Sequence, residues 1–184
     1  KSIGLTGEDN TEAEEWVEVF FTALRSHLEQ NYPELLENVY VSALDEPSTE
    51  VQNKASDWYY TEVRKAFPET MSVEAHARFT SGMTASTTLC PALDAYEEYQ
   101  EYYQAQKEAG RELWYYTAII PKGDYLNRFI PFHLIKTRLI PWYAYKIGAT
   151  GYLHWGYSFW GRKDTFDSLQ NGDDIKTVSE NLGH

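Results

Sequence analysis

Residues 39–47 have the sequence Val-Tyr-Val-Ser-Ala-Leu-Asp-Glu-Pro. The apolar part predicts a buried strand from Val39 to Leu44, which stops at the polar residues that follow. Pro47 ends the strand and restricts Glu46 to an extended conformation. The segment therefore predicts a strand whose carboxyl end carries two adjacent carboxylates, those of Asp45 and Glu46.

Helix and strand patterns alternate on both sides of this segment. Helices are predicted from Thr11 to Gln30, Val51 to Ala66, Ala95 to Gly110 and Ile130 to Ile147, the last with a kink or a break at Pro141. Further strands are predicted from Met71 to Thr80, Thr87 to Pro91, Glu112 to Ile120 and Gly151 to Trp160. This alternation favours an α/β fold with a parallel sheet.

The five predicted strands match the last five βα units of a (β/α)8 TIM-like barrel. In this prediction residues 1–160 form the C-terminal part of the barrel, and residues 161–184 form a polar C-terminal tail. A missing N-terminal segment or a partner chain would complete the barrel and cover the two open edges of the sheet. An open five-stranded sheet is the alternative.

The composition excludes several classes of partner. The formal net charge is −12, so the chain would repel the phosphate backbone of a nucleic acid. No apolar run is long enough to span a membrane. Aromatic residues make up 16% of the chain, and flat rings both fill cores and line sugar-binding clefts. We expect neither a nucleic acid nor a membrane as a partner.

The two carboxylates at positions 45 and 46 are the sharpest chemical feature. In a parallel barrel the carboxyl ends of the strands form the rim where active sites gather. Adjacent carboxylates differ in their affinity for a proton, so one can stay ionised while the other delivers a proton, as glycoside cleavage requires. The alternative, which the weakness of short motifs favours, is a turn whose acids cap the following helix.

Large aromatic rings lie on two of the later predicted strands. Alternation places Trp114 and Tyr116 on one face of their strand, and Trp155 and Tyr157 on one face of the next. These four rings are candidates for contact with a substrate, although any single ring is more often part of a core. Tyr116, Trp155 and Tyr157 are the stronger candidates because they lie near the strand ends.

Two polar residues remain as candidates for contact with a substrate. Arg78 could bind a sugar hydroxyl or hold a carboxylate, and a structural ion pair is as good an explanation. Asn127 could hydrogen-bond a sugar, with a role in a turn as the alternative. His133 and His154 lack the spacing of metal ligands, so we expect no metal site.

The ordered combination resembles the catalytic domain of glycoside hydrolase family 123. The resemblance rests on Asp-Glu-Pro at 45–47, Trp-Tyr-Tyr at 114–116 with the loop Pro-Lys-Gly-Asp-Tyr-Leu-Asn at 121–127, Arg138 with Trp142, and Gly-Tyr-Leu-His-Trp at 151–155. It spans Val39 to Trp160, most of the chain.

The resemblance implies a retaining, substrate-assisted hydrolase that removes terminal β-linked N-acetylhexosamine, with N-acetylgalactosamine the expected sugar, from a glycan. In that mechanism the acetamido oxygen of the sugar attacks the anomeric carbon. Asp45 would orient the acetamido group, and Glu46 would protonate the leaving oxygen and then activate water. The resemblance implies no metal and no organic cofactor, and it favours an extracellular or periplasmic location.

Two other hypotheses remain open. The chain could be a non-catalytic carbohydrate-binding or scaffold protein that keeps the aromatic cleft, in which case the carboxylates would point away from the rings. It could also be a different barrel glycosidase that uses two distant carboxylates, with Glu74 or Asp94 as the partner.

Overall fold

The structure, a computed structural model, describes residues 11–79, 81 and 84–156. The helices are α1 (Thr11–Asn31), α2 (Glu50–Ala66), α3 (Leu93–Glu98), α4 (Gln100–Glu108) and α5 (Leu134–Ile147), with a 3-10 helix over Pro33–Asn38. The strands are β1 (Tyr40–Val41), β2 (Met71–His76), β3 (Thr88–Pro91), β4 (Glu112–Tyr116) and β5 (Gly151–Leu153). The predicted polar tail and Tyr157 lie outside the described residues.

The five strands form one parallel sheet in the order β1-β2-β3-β4-β5. Each strand therefore pairs with the next strand along the chain, as consecutive units of a TIM-like barrel do. The α/β class and the parallel sheet are confirmed, and the fold is consistent with part of such a barrel. The described residues supply five strands, whereas a closed (β/α)8 barrel has eight.

The predicted strands extend too far at their carboxyl ends. β4 ends at Tyr116 rather than Ile120, because the next two carbonyl oxygens are used by a loop instead of a neighbouring strand. Arg128 donates to the carbonyl of Thr117 at 3.1 Å, and the Asn127 amide donates to that of Ala118 at 3.1 Å. β2 and β5 likewise stop short, at His76 and Leu153.

Two predicted helices differ from the observed ones. The helix predicted from Ala95 to Gly110 is divided at Tyr99, which ends α3 and precedes α4. The helix predicted from Ile130 begins at Leu134 and runs through Pro141 without a break. It ends at Ile147 and is capped by Gly148, whose φ of 65° lies in the left-handed region that glycine adopts without steric cost.

The two faces of the sheet have different surroundings. On one face Leu113 and Tyr115 pack with helix residues such as Tyr96 and Ile140. On the other face Tyr116 packs with Cys90 and Ala95 and is joined by the partly buried Trp114 and Leu153. Trp114 and Tyr116 therefore share a face, as the alternation predicts, and this face carries the candidate site.

His76 is fully buried at the end of β2. Burial, together with the positive charge of Arg111, lowers the pKa of His76 from 6.5 to about 4. The unfolded chain thus takes up a proton on His76 near pH 6.5, whereas the folded chain does so only near pH 4. Between these two values acid favours the unfolded state.

We expect His76 to lower the free energy of unfolding by about 3 kcal/mol as the pH falls from 7 to 4, since one unit of pKa difference is worth about 1.4 kcal/mol. Urea denaturation of the wild type and of His76→Gln at a series of pH values measures this contribution. The variant should lose that part of the pH dependence. Parallel pH profiles for the two proteins would show that the histidine is not held neutral by the fold.

The chain divides into two units, of which the first ends at Leu153 and the second begins at His154. The second unit contributes three described residues, His154 to Gly156. None of the helices in the described ranges is both long and apolar enough to cross a membrane.

Candidate active site

The segment after β1 carries the two predicted catalytic carboxylates. β1 ends at Val41, and residues 42–49 lead to α2 without regular structure. Asp45 and Glu46 are both exposed, whereas Pro47 is buried. The φ of Glu46 is 48°, so the prediction of an extended conformation before Pro47 was wrong. A positive φ is uncommon outside glycine, and such strain concentrates at functional sites.

The two carboxylates do not cap α2. The cap is Thr49, whose hydroxyl oxygen accepts a hydrogen bond from the backbone N–H of Gln52 at 3.2 Å. The Gln52 side chain in turn accepts one from the backbone N–H of Thr49 at 3.1 Å. This capping box satisfies the helix end by itself. The capping alternative for Asp45 and Glu46 is therefore excluded, and both side chains are left for another role.

The carboxylate of Glu46 is held by the phenol of Tyr116, which donates a hydrogen bond to it. Tyr116 is buried at the carboxyl end of β4. The pKa of the phenol is raised well above its ordinary value. Burial is the main cause, and the neighbouring Glu46 carboxylate adds to the effect. The phenol therefore remains a protonated donor throughout the physiological pH range. Asp45 accepts no hydrogen bond from any residue in the described ranges.

A buried carboxylate, Glu74 on β2, holds the segment in place from the helix side of the sheet. It accepts hydrogen bonds from the backbone N–H of Leu44 at 2.7 Å, from the Ser56 hydroxyl at 3.1 Å and from the Tyr60 phenol. Tyr60 also accepts one from the backbone N–H of Ala43 at 3.2 Å. Burial raises the pKa of Glu74, and the three hydrogen bonds oppose that shift.

This tether was not among the features predicted from the sequence. Its signal was present, since Ser56 and Tyr60 are four residues apart on α2 and so lie on the same face of the helix. Glu74 is 1% exposed and faces α2, so it is not available as a distant catalytic partner, as the two-carboxylate hypothesis allowed.

We expect Glu74→Gln to lower the free energy of unfolding by about 2 kcal/mol, because the amide places a donor where the carboxylate accepts. For a chain of this size the melting temperature should fall by roughly 4–8 °C. Glu37→Gln is the matched control, since Glu37 is exposed on the 3-10 helix before β1. Equal melting temperatures for the two variants would show that Glu74 does not tether the segment.

The other predicted rings have different surroundings. Trp114 lies opposite Gly151, two residues nearer the amino end of the sheet than Tyr116. Its indole covers Gly151 so closely that a Cβ there would lie 2.3 Å from the ring, and it packs on Tyr40 with 5.0 Å between ring centroids. Trp155 is exposed and contacts His154 edge to face. Trp155 belongs to the second unit.

The two polar candidates, Asn127 and Arg78, have different surroundings. Asn127 is buried, and its amide nitrogen donates to the carbonyls of Ala118 and Pro121, while its oxygen accepts from the backbone N–H of Arg128. Its amide is thus engaged by the loop, which is the turn role that the sequence left open. Arg78 is exposed just after β2 and lines a cleft that also contains Asp94.

The site therefore consists of two exposed carboxylates at the carboxyl edge of the sheet, with one of them bound to a buried phenol. In the described part of the chain no three His, Cys, Asp or Glu side chains converge as metal ligands. An exposed carboxylate can exchange a proton with a bound molecule, and its neighbour can stabilise a developing positive charge.

A comparison with models of known families matches nearly the whole chain. The model described as "Glycoside hydrolase 123, catalytic domain" covers residues 2–177. The matched range includes Asp45, Glu46 and the aromatic strand β4. No curated protein matches the chain.

Proposed function

Because the chain belongs to the glycoside hydrolase 123 catalytic-domain family, and so to the glycoside hydrolases, we propose that it removes terminal β-linked N-acetylhexosamine with retention of configuration. The proposed sugar is N-acetylgalactosamine, and its own acetamido group is the proposed nucleophile. One observation carries the proposal: the exposed Asp45–Glu46 pair lies at the carboxyl edge of a parallel sheet, with Glu46 held by Tyr116.

In the first proposed step the acetamido oxygen attacks the anomeric carbon and the glycosidic bond breaks. Glu46 donates its proton to the leaving oxygen, so the departing group leaves as a neutral alcohol. The acetamido group becomes an oxazolinium ring with a positive charge. Asp45 accepts a hydrogen bond from the N–H of that ring and stabilises its charge. Neither carboxylate forms a covalent bond to the sugar.

In the second step Glu46, now ionised, takes a proton from water. The water attacks the anomeric carbon from the face that the leaving group vacated, and the ring opens to restore the acetamido group. Two inversions give net retention. Tyr116 is a positioning residue in this scheme, because its phenol fixes the orientation of Glu46 through both steps.

The non-catalytic hypothesis required carboxylates that point away from the ring cluster. Glu46 instead accepts a hydrogen bond from a member of that cluster, Tyr116. We therefore do not propose a purely carbohydrate-binding or scaffold role.

The direct test is hydrolysis of nitrophenyl β-N-acetylgalactosaminide, compared with the corresponding glucosaminide and with nitrophenyl β-galactoside. We expect turnover of the first, no turnover of the galactoside, which lacks the acetamido group, and initial release of the β-anomer by NMR. A thiazoline that mimics the oxazolinium should inhibit. Release of the α-anomer, or insensitivity to the thiazoline, would point to a mechanism with two distant carboxylates.

A further inference from the structure

A cleft of about 470 Å³ lies at the carboxyl ends of β2 and β3. The residues that line it include Arg78, Asp94 and Glu98 together with two aromatic residues, Phe79 and Tyr99. The two rings stack with 4.0 Å between their centroids and 10° between their planes. A volume of this size with a few polar groups among rings is typical of small-molecule sites. We call it the Asp94 cleft.

The Asp94 cleft adjoins the candidate catalytic pair through Tyr116. Ala95 and Ile120, which line the cleft, belong to the same packed cluster as Tyr116. Burial is the main cause of the raised pKa of the Tyr116 phenol, and the carboxylates of Glu46 and Asp94 both add to it. The phenol therefore lies within electrostatic range of both carboxylates, with Glu46 bound directly.

Asp94 lines this cleft and accepts no hydrogen bond from any residue in the described ranges. Its Oδ1 atom is sealed from solvent, whereas its Oδ2 atom is not, so Oδ2 is the oxygen that a ligand can reach. A ligand that donates a hydrogen bond to Oδ2 would give this carboxylate the partner that partly buried polar groups usually have. Arg78 is exposed in the same cleft and has only donors to offer. A hydroxyl group both donates and accepts, so a pair of sugar hydroxyls matches the two side chains.

We infer that the Asp94 cleft binds the free ring hydroxyls of the terminal sugar, with Asp94 accepting from one hydroxyl and Arg78 donating to another. The inference rests on the proposed function and defines its substrate further. The terminal sugar must then be unsubstituted at the hydroxyls that enter the cleft. Asp94 is then a specificity-determining residue and takes no part in proton transfer.

The test measures binding of methyl β-N-acetylgalactosaminide and its 3-, 4- and 6-deoxy analogues by calorimetry. Asp94→Asn should weaken binding of the parent sugar about 10- to 100-fold, which is the usual value of a hydrogen bond to a charged group. One deoxy analogue should bind the wild type more weakly by a similar factor. That analogue should bind wild type and Asp94→Asn equally well, because the lost partner is the same in both cases.

Glu101→Gln is the matched control, since Glu101 is exposed on α4 and does not line the cleft. It should change binding less than about threefold, as surface substitutions do. Arg78→Gln should also weaken binding of the parent sugar. The deoxy analogue that binds wild type and Arg78→Gln equally well should be a different one from the analogue identified with Asp94→Asn. Unchanged affinity in Asp94→Asn, or equal losses for the parent and all analogues, would overturn the inference.

Turnover separates the failure of this inference from the failure of the proposed function. Hydrolysis that is indifferent to Asp94→Asn, together with unaltered binding, overturns the cleft assignment alone. Sugar binding that depends on Asp94 in a protein without hydrolytic activity overturns the proposed function and supports the cleft. A lower kcat for Asp94→Asn with every substrate, at unchanged affinity, would make Asp94 a catalytic carboxylate and so overturn the binding role.

Discussion

Glu46→Gln is expected to lower kcat for nitrophenyl β-N-acetylgalactosaminide by about 10³-fold or more. Glutamine keeps the size of the side chain and can still accept a hydrogen bond from Tyr116, but it can neither donate the proton to the leaving oxygen nor take one from water. General acid–base catalysis by one group is worth about 10²–10⁴-fold. Because Glu46 is exposed, the substitution should leave the melting temperature unchanged.

The identity of the leaving group makes this prediction sharper. A dinitrophenyl leaving group departs without protonation, so the first step should survive in Glu46→Gln with that substrate, and only the second step should be slow. Added azide, a nucleophile that needs no general base, should then restore turnover and yield a β-glycosyl azide. The two substrates thus report separately on the acid and base roles of Glu46.

Two further variants are compared with Glu46→Gln. Tyr116→Phe removes the phenol that holds Glu46 and should lower kcat about tenfold, since it deletes one hydrogen bond to a charged group and leaves the carboxylate in place. Glu37→Gln, at an exposed position before the amino end of β1, should behave as wild type. Wild-type turnover in Glu46→Gln would reject Glu46 as the acid and the base.

The sequence predicts the order and type of the strands because short apolar runs alternate with helical patterns. It does not predict where the strands end, since that depends on contacts between distant residues. The carbonyls of Thr117 and Ala118 leave the sheet because Arg128 and Asn127, about ten residues later, bind them instead. An amide in a polar loop shows no pattern from which that binding could be foreseen.

The candidate site was predictable in position but not in detail. The Asp-Glu-Pro segment follows an apolar run, so its place at the carboxyl edge follows from the parallel sheet. The bond between Glu46 and Tyr116 joins residues 70 positions apart, and alternation gives the face of Tyr116 but not its partner. Glu74 was assigned to no particular face, because a carboxylate on a strand is expected in solvent rather than against a helix.

The carboxyl edge also explains why Asp45 and Glu46 differ although they are adjacent. Glu46 is bound to the buried Tyr116 phenol, whereas Asp45 is exposed and accepts no hydrogen bond from the described residues. Glu46 is therefore fixed before a substrate arrives, while the hydrogen-bonding capacity of Asp45 is left for the substrate itself. This division matches a fixed proton donor and a partner that binds a charge developing on the acetamido group.

Asp45→Asn should accordingly lower kcat about 10²- to 10³-fold, the usual cost of losing one group that stabilises transition-state charge. Asparagine can still accept a hydrogen bond from the acetamido N–H, but it has no charge to oppose that of the oxazolinium. The loss should therefore appear in kcat, with KM nearly unchanged. Initial rates with the nitrophenyl N-acetylgalactosaminide over a range of concentrations measure both constants.

The binding of inhibitors separates this role of Asp45 from a general loss of substrate affinity. A thiazoline resembles the oxazolinium, so Asp45→Asn should weaken its binding by a factor close to the loss in kcat, whereas binding of N-acetylgalactosamine itself should change less than about threefold. Glu37→Gln is the control, and it should bind both the thiazoline and N-acetylgalactosamine with the affinity of the wild type. If Asp45→Asn weakens the product and the thiazoline by the same factor, Asp45 binds the acetamido group equally in both states. In that case its charge does not drive the reaction, and the acetamido group would have to be activated by another residue.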